Sequence, residues 1–97
     1  MSEMRQKAID TASDTILELY DKYGDDMRQY LYSKFFKSEV NDKFNANSFS
    51  SRMSSAEQRK LNDALDVLAL TKSYNRSLLG YIDEQLNLMD VVKATQE

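Results

Sequence analysis

The sequence predicts an all-α fold, an antiparallel helical bundle of three helices with a long C-terminal helix. Proline is absent and glycine occurs only at Gly24 and Gly80, whereas antiparallel sheets need turn residues at short intervals. Apolar residues instead recur with the 3.6-residue period of a helix. A chain of 97 residues is long enough for one core. We therefore expect residues 1–97 to form a single helical domain.

The first helix is predicted over residues 3–23. Its apolar side chains project within about 120° of one another, as in a helix that packs on one side. Gly24 follows the last of them and is predicted to end the helix, because glycine adopts positive φ at little cost. Asp25 is then predicted to cap the second helix, and so short a joint makes the two helices antiparallel neighbours. The apolar side chains are Ala8, Ile9, Ala12, Ile16, Leu19, Tyr20 and Tyr23.

The second helix is predicted over residues 26–44, with apolar side chains on two opposed sides. Met27, Leu31 and Phe35 form one row, which we assign to the core. A second row lies about 160° away around the axis. It could be buried within a bundle or could face another protein, because aromatic residues are favoured interface anchors. This second row is Tyr32, Phe36, Val40 and Phe44.

Residues 45–53 are predicted to form a loop. They are rich in Asn and Ser, whose side chains compete with the helix for backbone hydrogen bonds. Phe49 and Met53 are the apolar residues expected to attach this loop to the core. The segment Ser54-Ser55-Ala56-Glu57 then matches the S-x-x-E capping box, so a third helix is predicted to begin at Ser54.

The C-terminal half allows two interpretations. Apolar residues keep a spacing near seven from Leu61 onward, which favours one helix over residues 54–94, about 60 Å long. Asn75 would then fix the register of an apolar seam. Alternatively, the polar stretch 71–77 divides the helix and gives a four-helix up-down bundle. Because no Gly or Pro marks a break there, we favour the unbroken helix. A second apolar line on it is Val67, Tyr74, Tyr81 and Leu88.

Composition excludes several kinds of chemistry. The chain has no Cys and no His, so disulfides, thiolate or imidazole metal sites and a Cys or His catalyst are excluded. No phosphate-binding loop, nucleophile elbow or metalloprotease motif is found. Asp83 and Glu84 are adjacent and point about 100° apart, so we expect solvated side chains rather than a catalytic pair. The predicted protein is not an enzyme and needs no cofactor or metal.

A protein-binding function is predicted from the amount of apolar helix surface. Ile, Leu, Val and Phe number 22 of 97 residues, so the core is small, yet two helices have more than one apolar side. We expect an adaptor, chaperone or inhibitor that binds a partner protein, and a homo-oligomer, most simply a dimer. The predicted partner-binding residues are Tyr32, Phe36, Val40, Phe44, Val67, Tyr74, Tyr81 and Leu88.

Two other functions are consistent with the sequence. The first is a self-assembling structural subunit. The second is a nucleic-acid-associated regulator, which is disfavoured because the net charge is −3 and no basic stripe is visible. The cations available to such a regulator are Lys34, Lys37, Lys43, Arg52, Arg59 and Lys60.

A cytoplasmic location without membrane contact is expected. The first residues lack the apolar core of a signal peptide, and no apolar run approaches the length of a membrane span. In size, acidity, helicity and lack of cysteine, the chain resembles small bacterial or phage-type adaptors and secretion chaperones. That resemblance is one of general class and implies a protein partner.

Overall fold

The computed structural model describes residues 3–72 and 77–96, and all regular structure within them is helical. The helices are α1 (Glu3–Tyr23), α2 (Asp25–Phe35), α3 (Ala46–Arg52), α4 (Ser55–Lys72) and α5 (Ser77–Gln96), with a short 3-10 turn at Lys37–Glu39. Helix α1 packs against α2, α4 and α5, α4 also contacts α5, and α3 lies on α2. The predicted all-α fold is confirmed.

The joint between α1 and α2 has the predicted bounds but a different cap. Gly24 has φ 71°, and its N–H donates to the Tyr20 carbonyl oxygen at 2.8 Å, so glycine ends α1 as expected. The prediction that Asp25 caps α2 is wrong. Asp25 is the first residue of the helix, Gly24 takes the capping position, and no side chain bonds there. Asp25 still lies at the positive end of the helix dipole, where a carboxylate is favourable.

Helix α2 ends at Phe35, so the helix predicted to reach residue 44 is wrong. The N–H of Asn41 donates to the side-chain oxygen of Gln29 at 2.7 Å. A continuous helix would hold those residues about 18 Å apart. The side chain of Asn41 then accepts the N–H of Lys43 at 2.9 Å and stabilises the turn. The second row predicted for this helix therefore does not lie on one helix. Its members are Tyr32, Phe36, Val40 and Phe44.

Residues 45–53, predicted to be a loop, contain the short helix α3. The side chain of Asn45 accepts the N–H of Ser48 at 2.9 Å, so an Asn expected to oppose the helix instead caps it. Phe49 and Met53 are buried, as predicted. The ring of Phe49 lies within 5.4–6.1 Å of three other aromatic rings, and this burial outweighs the weak helix propensity of the segment. Those rings belong to Tyr23, Tyr30 and Phe44.

The C-terminal half forms two helices, so the favoured single helix over 54–94 is wrong. The principal dimensions are 38 × 32 × 28 Å, too short for a helix of about 60 Å. Leu61 and Leu68 of α4 and Ile82 and Leu86 of α5 are all buried in the core. Two separate helices bury both sets of side chains against α1. The predicted register residue Asn75 lies outside the described residues.

The start of α4 is the predicted capping box. The N–H of Ser54 donates to Glu57 at 2.9 Å, and the N–H of Glu57 donates to the Ser54 hydroxyl at 3.1 Å. Glu57 also accepts the Tyr23 hydroxyl and pairs with Lys22, both at 2.8 Å. The hydrogen bond from Lys22, then those from Ser54 and Tyr23, lower the pKa of Glu57 to about 2. The cap therefore also attaches α4 to the end of α1.

Candidate protein-binding surface on the fifth helix

Helix α5 has a core side and an exposed apolar side. Leu79, Ile82 and Leu86 are buried. Three other large side chains project within about 40° of one another on a different side. They are 55%, 57% and 52% exposed, and we call them the α5 stripe. The α5 stripe is Tyr81, Leu88 and Val92.

A buried arginine on α2 holds the opposite side of α5. Arg28 is only 8% exposed. Its Nη1 donates to Asp83 Oδ1 at 2.9 Å, and its Nη2 donates to Asp90 Oδ2 at 3.0 Å. The two carboxylates are seven residues apart, so they lie on the same side of α5, about two turns from each other. The planar, forked guanidinium reaches both, which the single ammonium of a lysine could not do.

Two tyrosines complete this site, which we call the Arg28 clamp. The hydroxyl of Tyr32 donates to Asp83 at 2.7 Å, and the hydroxyl of Tyr20 donates to Asp90. Arg28 donates to the hydroxyl oxygens of Tyr20 and Tyr32 at 3.2 and 3.3 Å. Within the described residues, no buried side-chain N or O atom lacks a hydrogen-bond partner. A buried charge is tolerated only when it is paired in this way.

Burial and hydrogen bonding raise the pKa values of the two tyrosines and of Arg28 in this clamp. Burial, then the hydrogen bond with Asp90, raises the pKa of Tyr20. Burial also raises the pKa of Tyr32, and Asp83 adds to the increase against the opposing effect of Arg28. Burial alone would lower the pKa of Arg28, but hydrogen bonds with Tyr32 and Tyr20 outweigh it and raise the pKa overall. Both hydroxyls therefore remain donors at neutral pH, and the clamp joins α1, α2 and α5.

The Arg28 clamp sets the rotation of α5 about its own axis. Asp83 and Asp90 project about 180° from the α5 stripe. With the carboxylates held by Arg28, the stripe must face solvent. Asp83 and Glu84 were predicted to be solvated; Glu84 is exposed, whereas Asp83 is 32% exposed and pairs with Arg28. The signal available in the sequence was the seven-residue spacing of Asp83 and Asp90, but nothing local to Arg28 identifies it as their partner.

A groove between α1 and α5 adjoins the α5 stripe at Tyr81. It encloses about 510 Å³. Asp10 and Asp14 lie along its α1 edge, one helical turn apart, and among residues 3–72 and 77–96 no lysine or arginine lines it. The apolar side chains that line it together with Tyr81 are Ile9, Leu17, Leu78 and Ile82.

A second groove runs between α1 and α4 and encloses about 560 Å³. Ala8, Ala12 and Ala64 line it, and their small side chains leave the space between the helices open. Met4, 84% exposed, and the half-buried Val67 also line it. The residues of α1 that line this groove and those that line the α1–α5 groove project on opposite sides of the helix.

The structure brings only part of the predicted partner-binding set together. Tyr81 and Leu88 lie on the α5 stripe, whereas Val67 lines the separate α1–α4 groove. Tyr74 is outside the described residues. The sequence prediction missed Val92 of the α5 stripe, and it missed Leu17, which lines the α1–α5 groove. The remaining four predicted residues are half-buried. Those four are Tyr32, in the Arg28 clamp; Phe36, whose ring is 5.8 Å from that of Tyr32; Val40, after the 3-10 turn; and Phe44, against Phe49.

Several cations considered for a nucleic-acid site already contact other side chains. Lys34 Nζ lies 5.1 Å from the ring centre of Tyr30. Arg52 pairs with Asp26 at 2.7 Å, and Lys60 approaches Glu18 at 3.6 Å. The two ion pairs partly offset the positive charge that Arg52 and Lys60 could offer to phosphate groups.

The chain matches no protein family, no curated protein and no solved structure. Across residues 3–72 and 77–96, no helix combines the length and the hydropathy that crossing a bilayer requires. The fold and the surface described above are therefore the basis for a functional assignment.

Proposed function

We propose that the chain is a non-enzymatic helical protein-binding module, an adaptor, chaperone or inhibitor that docks its partner on the α5 stripe. The observation that supports this proposal is the exposure of Tyr81, Leu88 and Val92, each more than half exposed, on one side of a single helix. Contiguous exposed apolar side chains on a small protein are typical of interaction sites. Tyrosine is also among the residues that dominate binding energy at interfaces.

The Arg28 clamp supports the same proposal because it prepares the surface in advance. A helix whose rotation is already set loses little conformational entropy when its exposed side is covered. Burial of the stripe would then contribute to affinity rather than to ordering the helix. The partner that suits such a surface is a helix with an apolar face, in the helix-in-groove mode of recognition.

The test is partner capture from an extract of the native host, with a stripe variant and a matched control. The full chain, tagged, is compared with Tyr81→Ser/Leu88→Ser/Val92→Ser and with Met4→Ser/Leu70→Ser, which removes exposed apolar side chains elsewhere. We expect mass spectrometry to find a stoichiometric partner with the native chain and the control only. Thermal unfolding checks that all three proteins are folded. Retention of the same partner by a folded stripe variant would refute the proposal.

A second candidate function is a self-assembling structural subunit. The two grooves lie on opposite sides of α1, so a neighbour bound at one leaves the other open, as head-to-tail assembly requires. Sedimentation velocity over a wide concentration range tests this candidate. Growth beyond a dimer supports it, a closed dimer indicates a two-fold contact between copies, and a monomer at every concentration removes it.

A further inference from the structure

We propose that the α1–α5 groove and the adjoining α5 stripe receive an amphipathic helix whose apolar face is flanked by lysine or arginine. The inference rests on the proposed function and adds the chemistry of the partner. It follows from the shape of this surface and from the sign of the charges around it.

The shape fits a helix. The groove is bounded by two helices and has apolar side chains from both, Leu17 from α1 and Leu78 and Ile82 from α5. Tyr81 belongs to both the groove and the stripe, so the apolar surface continues along α5 to Leu88. A helix presents apolar side chains at positions i, i+4, i+7 and i+11 and can cover such a surface in about three turns.

Among the described residues, the charged side chains that line the groove are acidic. Asp10 and Asp14 line the groove, and Glu84 is exposed about 60° from Tyr81 on α5. Within the described residues, none of these three carboxylates forms an ion pair, although Gln6 donates a hydrogen bond to Asp10 at 2.9 Å. The α1–α4 groove differs, because its described lining has mixed charges, Lys7 and Lys60 together with Asp63. Charge complementarity therefore favours a basic partner at the α1–α5 groove.

The same charges oppose a two-fold contact with a second copy of the chain. A two-fold contact through this surface would place Asp10, Asp14 and Glu84 close to the same residues of the other copy. Like charges brought together at an interface are unfavourable and suppress that pairing. A basic helix from a different protein meets no such repulsion.

The test uses two synthetic helical peptides of about 20 residues with the same leucine face. One has lysine beside that face and the other has glutamate. Binding to the full chain is measured by fluorescence anisotropy at about 0.05 M and about 0.3 M salt. We expect the lysine peptide to bind at least about tenfold more tightly at low salt, with the difference shrinking at high salt, because exposed charge pairs are screened.

Two variants of equal charge change locate the effect. Asp10→Asn/Asp14→Asn removes the carboxylates at the groove, and we expect about fivefold to tenfold weaker binding of the lysine peptide. Asp63→Asn/Asp66→Asn removes exposed carboxylates of α4 and should leave binding unchanged within about twofold. Leu88→Ser should weaken binding of both peptides, because it removes apolar contact rather than charge.

Several results would overturn the inference. These are failure of the lysine peptide to bind, equal binding of the two peptides, or an equal effect of the Asp10/Asp14 and Asp63/Asp66 variants. Self-association that Leu88→Ser abolishes would assign the surface to a second copy and would overturn it as well. The proposed function fails separately, when capture of the native partner does not depend on the stripe. If that capture depends on the stripe while the peptides bind equally, only the basic chemistry of the partner is refuted.

Discussion

Replacing Arg28 with methionine should destabilise the protein strongly, because it removes the centre of the clamp but keeps an unbranched side chain in place. The change breaks four hydrogen bonds, to Asp83, Asp90, Tyr20 and Tyr32. Removing one partner from a fully buried ion pair costs about 3–5 kcal/mol. Here the side chains of Asp83 and Asp90 are 32% and 53% exposed and regain water, so we expect a loss of about 2–3 kcal/mol.

Urea unfolding followed by circular dichroism measures this loss. With a slope of about 1–1.5 kcal/mol per M for a domain of this size, the midpoint should fall by about 2 M. Lys60→Met is the control, because Lys60 and Glu18 are 56% and 68% exposed and such pairs contribute less than about 1 kcal/mol. Arg28→Lys should lie between the native chain and Arg28→Met, since an ammonium keeps the charge without the fork.

A double-mutant cycle tests whether the loss arises from the clamp. Arg28→Met combined with Asp83→Asn should show a coupling energy of about 1 kcal/mol or more. Arg28→Met combined with Asp63→Asn, on exposed α4 surface, should be additive. The stabilising role of the Arg28 clamp is refuted if Arg28→Met shifts the urea midpoint no more than Lys60→Met does. It is also refuted if the cycles with Asp83→Asn and with Asp63→Asn give the same coupling energy.

Three further predictions concern stability measured by the same urea assay. Phe49→Ala should cost about 3–5 kcal/mol, because it empties the centre of the aromatic cluster; a loss under about 1 kcal/mol would contradict the assignment of α3 to the core. The folded-state pKa of Glu57 is about 2, below its ordinary value of 4.5, so its contribution is complete above about pH 4.5 and is lost as the pH falls toward 2. Glu57→Gln should therefore flatten the dependence of stability on pH in that window, and an unchanged slope would refute this explanation. Gly24→Ala should lower the free energy of unfolding by about 1–2 kcal/mol, because φ at this position is 71°. Gly80→Ala, at an open helical site, should raise it by about 0.5–1 kcal/mol. Effects of equal sign from the two substitutions would be inconsistent with these conformations.

Features that depend on neighbouring residues could be predicted from the sequence. The bounds of α1 follow from one apolar side and from Gly24, and the start of α4 follows from the reciprocal Ser54–Glu57 hydrogen bonds. Phe49 and Met53 could be assigned to the core because a large apolar residue in a polar segment gains most from burial. Each of these signals lies within a few residues of the feature that it predicts.

The end of α2 could not be predicted from periodicity. The helical spacing of apolar residues continues to Phe44, but Phe44 packs against the core only after the chain has reversed. An apolar side chain can reach the core from a helical segment or from a turn. The spacing of apolar residues therefore does not distinguish a helix from a turn. The Asn41-Asp42 pair was the available turn signal, and the bond from Asn41 to Gln29 shows its use.

The division of α4 from α5 and the Arg28 clamp depend on contacts between distant residues. Leu68 and Ile82 are fourteen residues apart, which fits the seven-residue spacing expected of one continuous helix. Two separate helices keep the same spacing, because Leu68 of α4 and Ile82 of α5 are both buried in the core. Arg28 bonds to side chains 55 and 62 residues away. Neither contact can be inferred from residues near Arg28, so the exposed side of α5 became evident only from the structure.

Site-specific photocrosslinking in the native host can show whether the α5 stripe contacts a partner protein. A benzoylphenylalanine placed at position 88, on the α5 stripe, is compared with one at position 66, on the exposed surface of α4. We expect a discrete higher-mass adduct with one partner protein from position 88 and none from position 66. Adducts of the same partner at equal yield from both positions, or no adduct from position 88 at normal abundance of the chain, would contradict it.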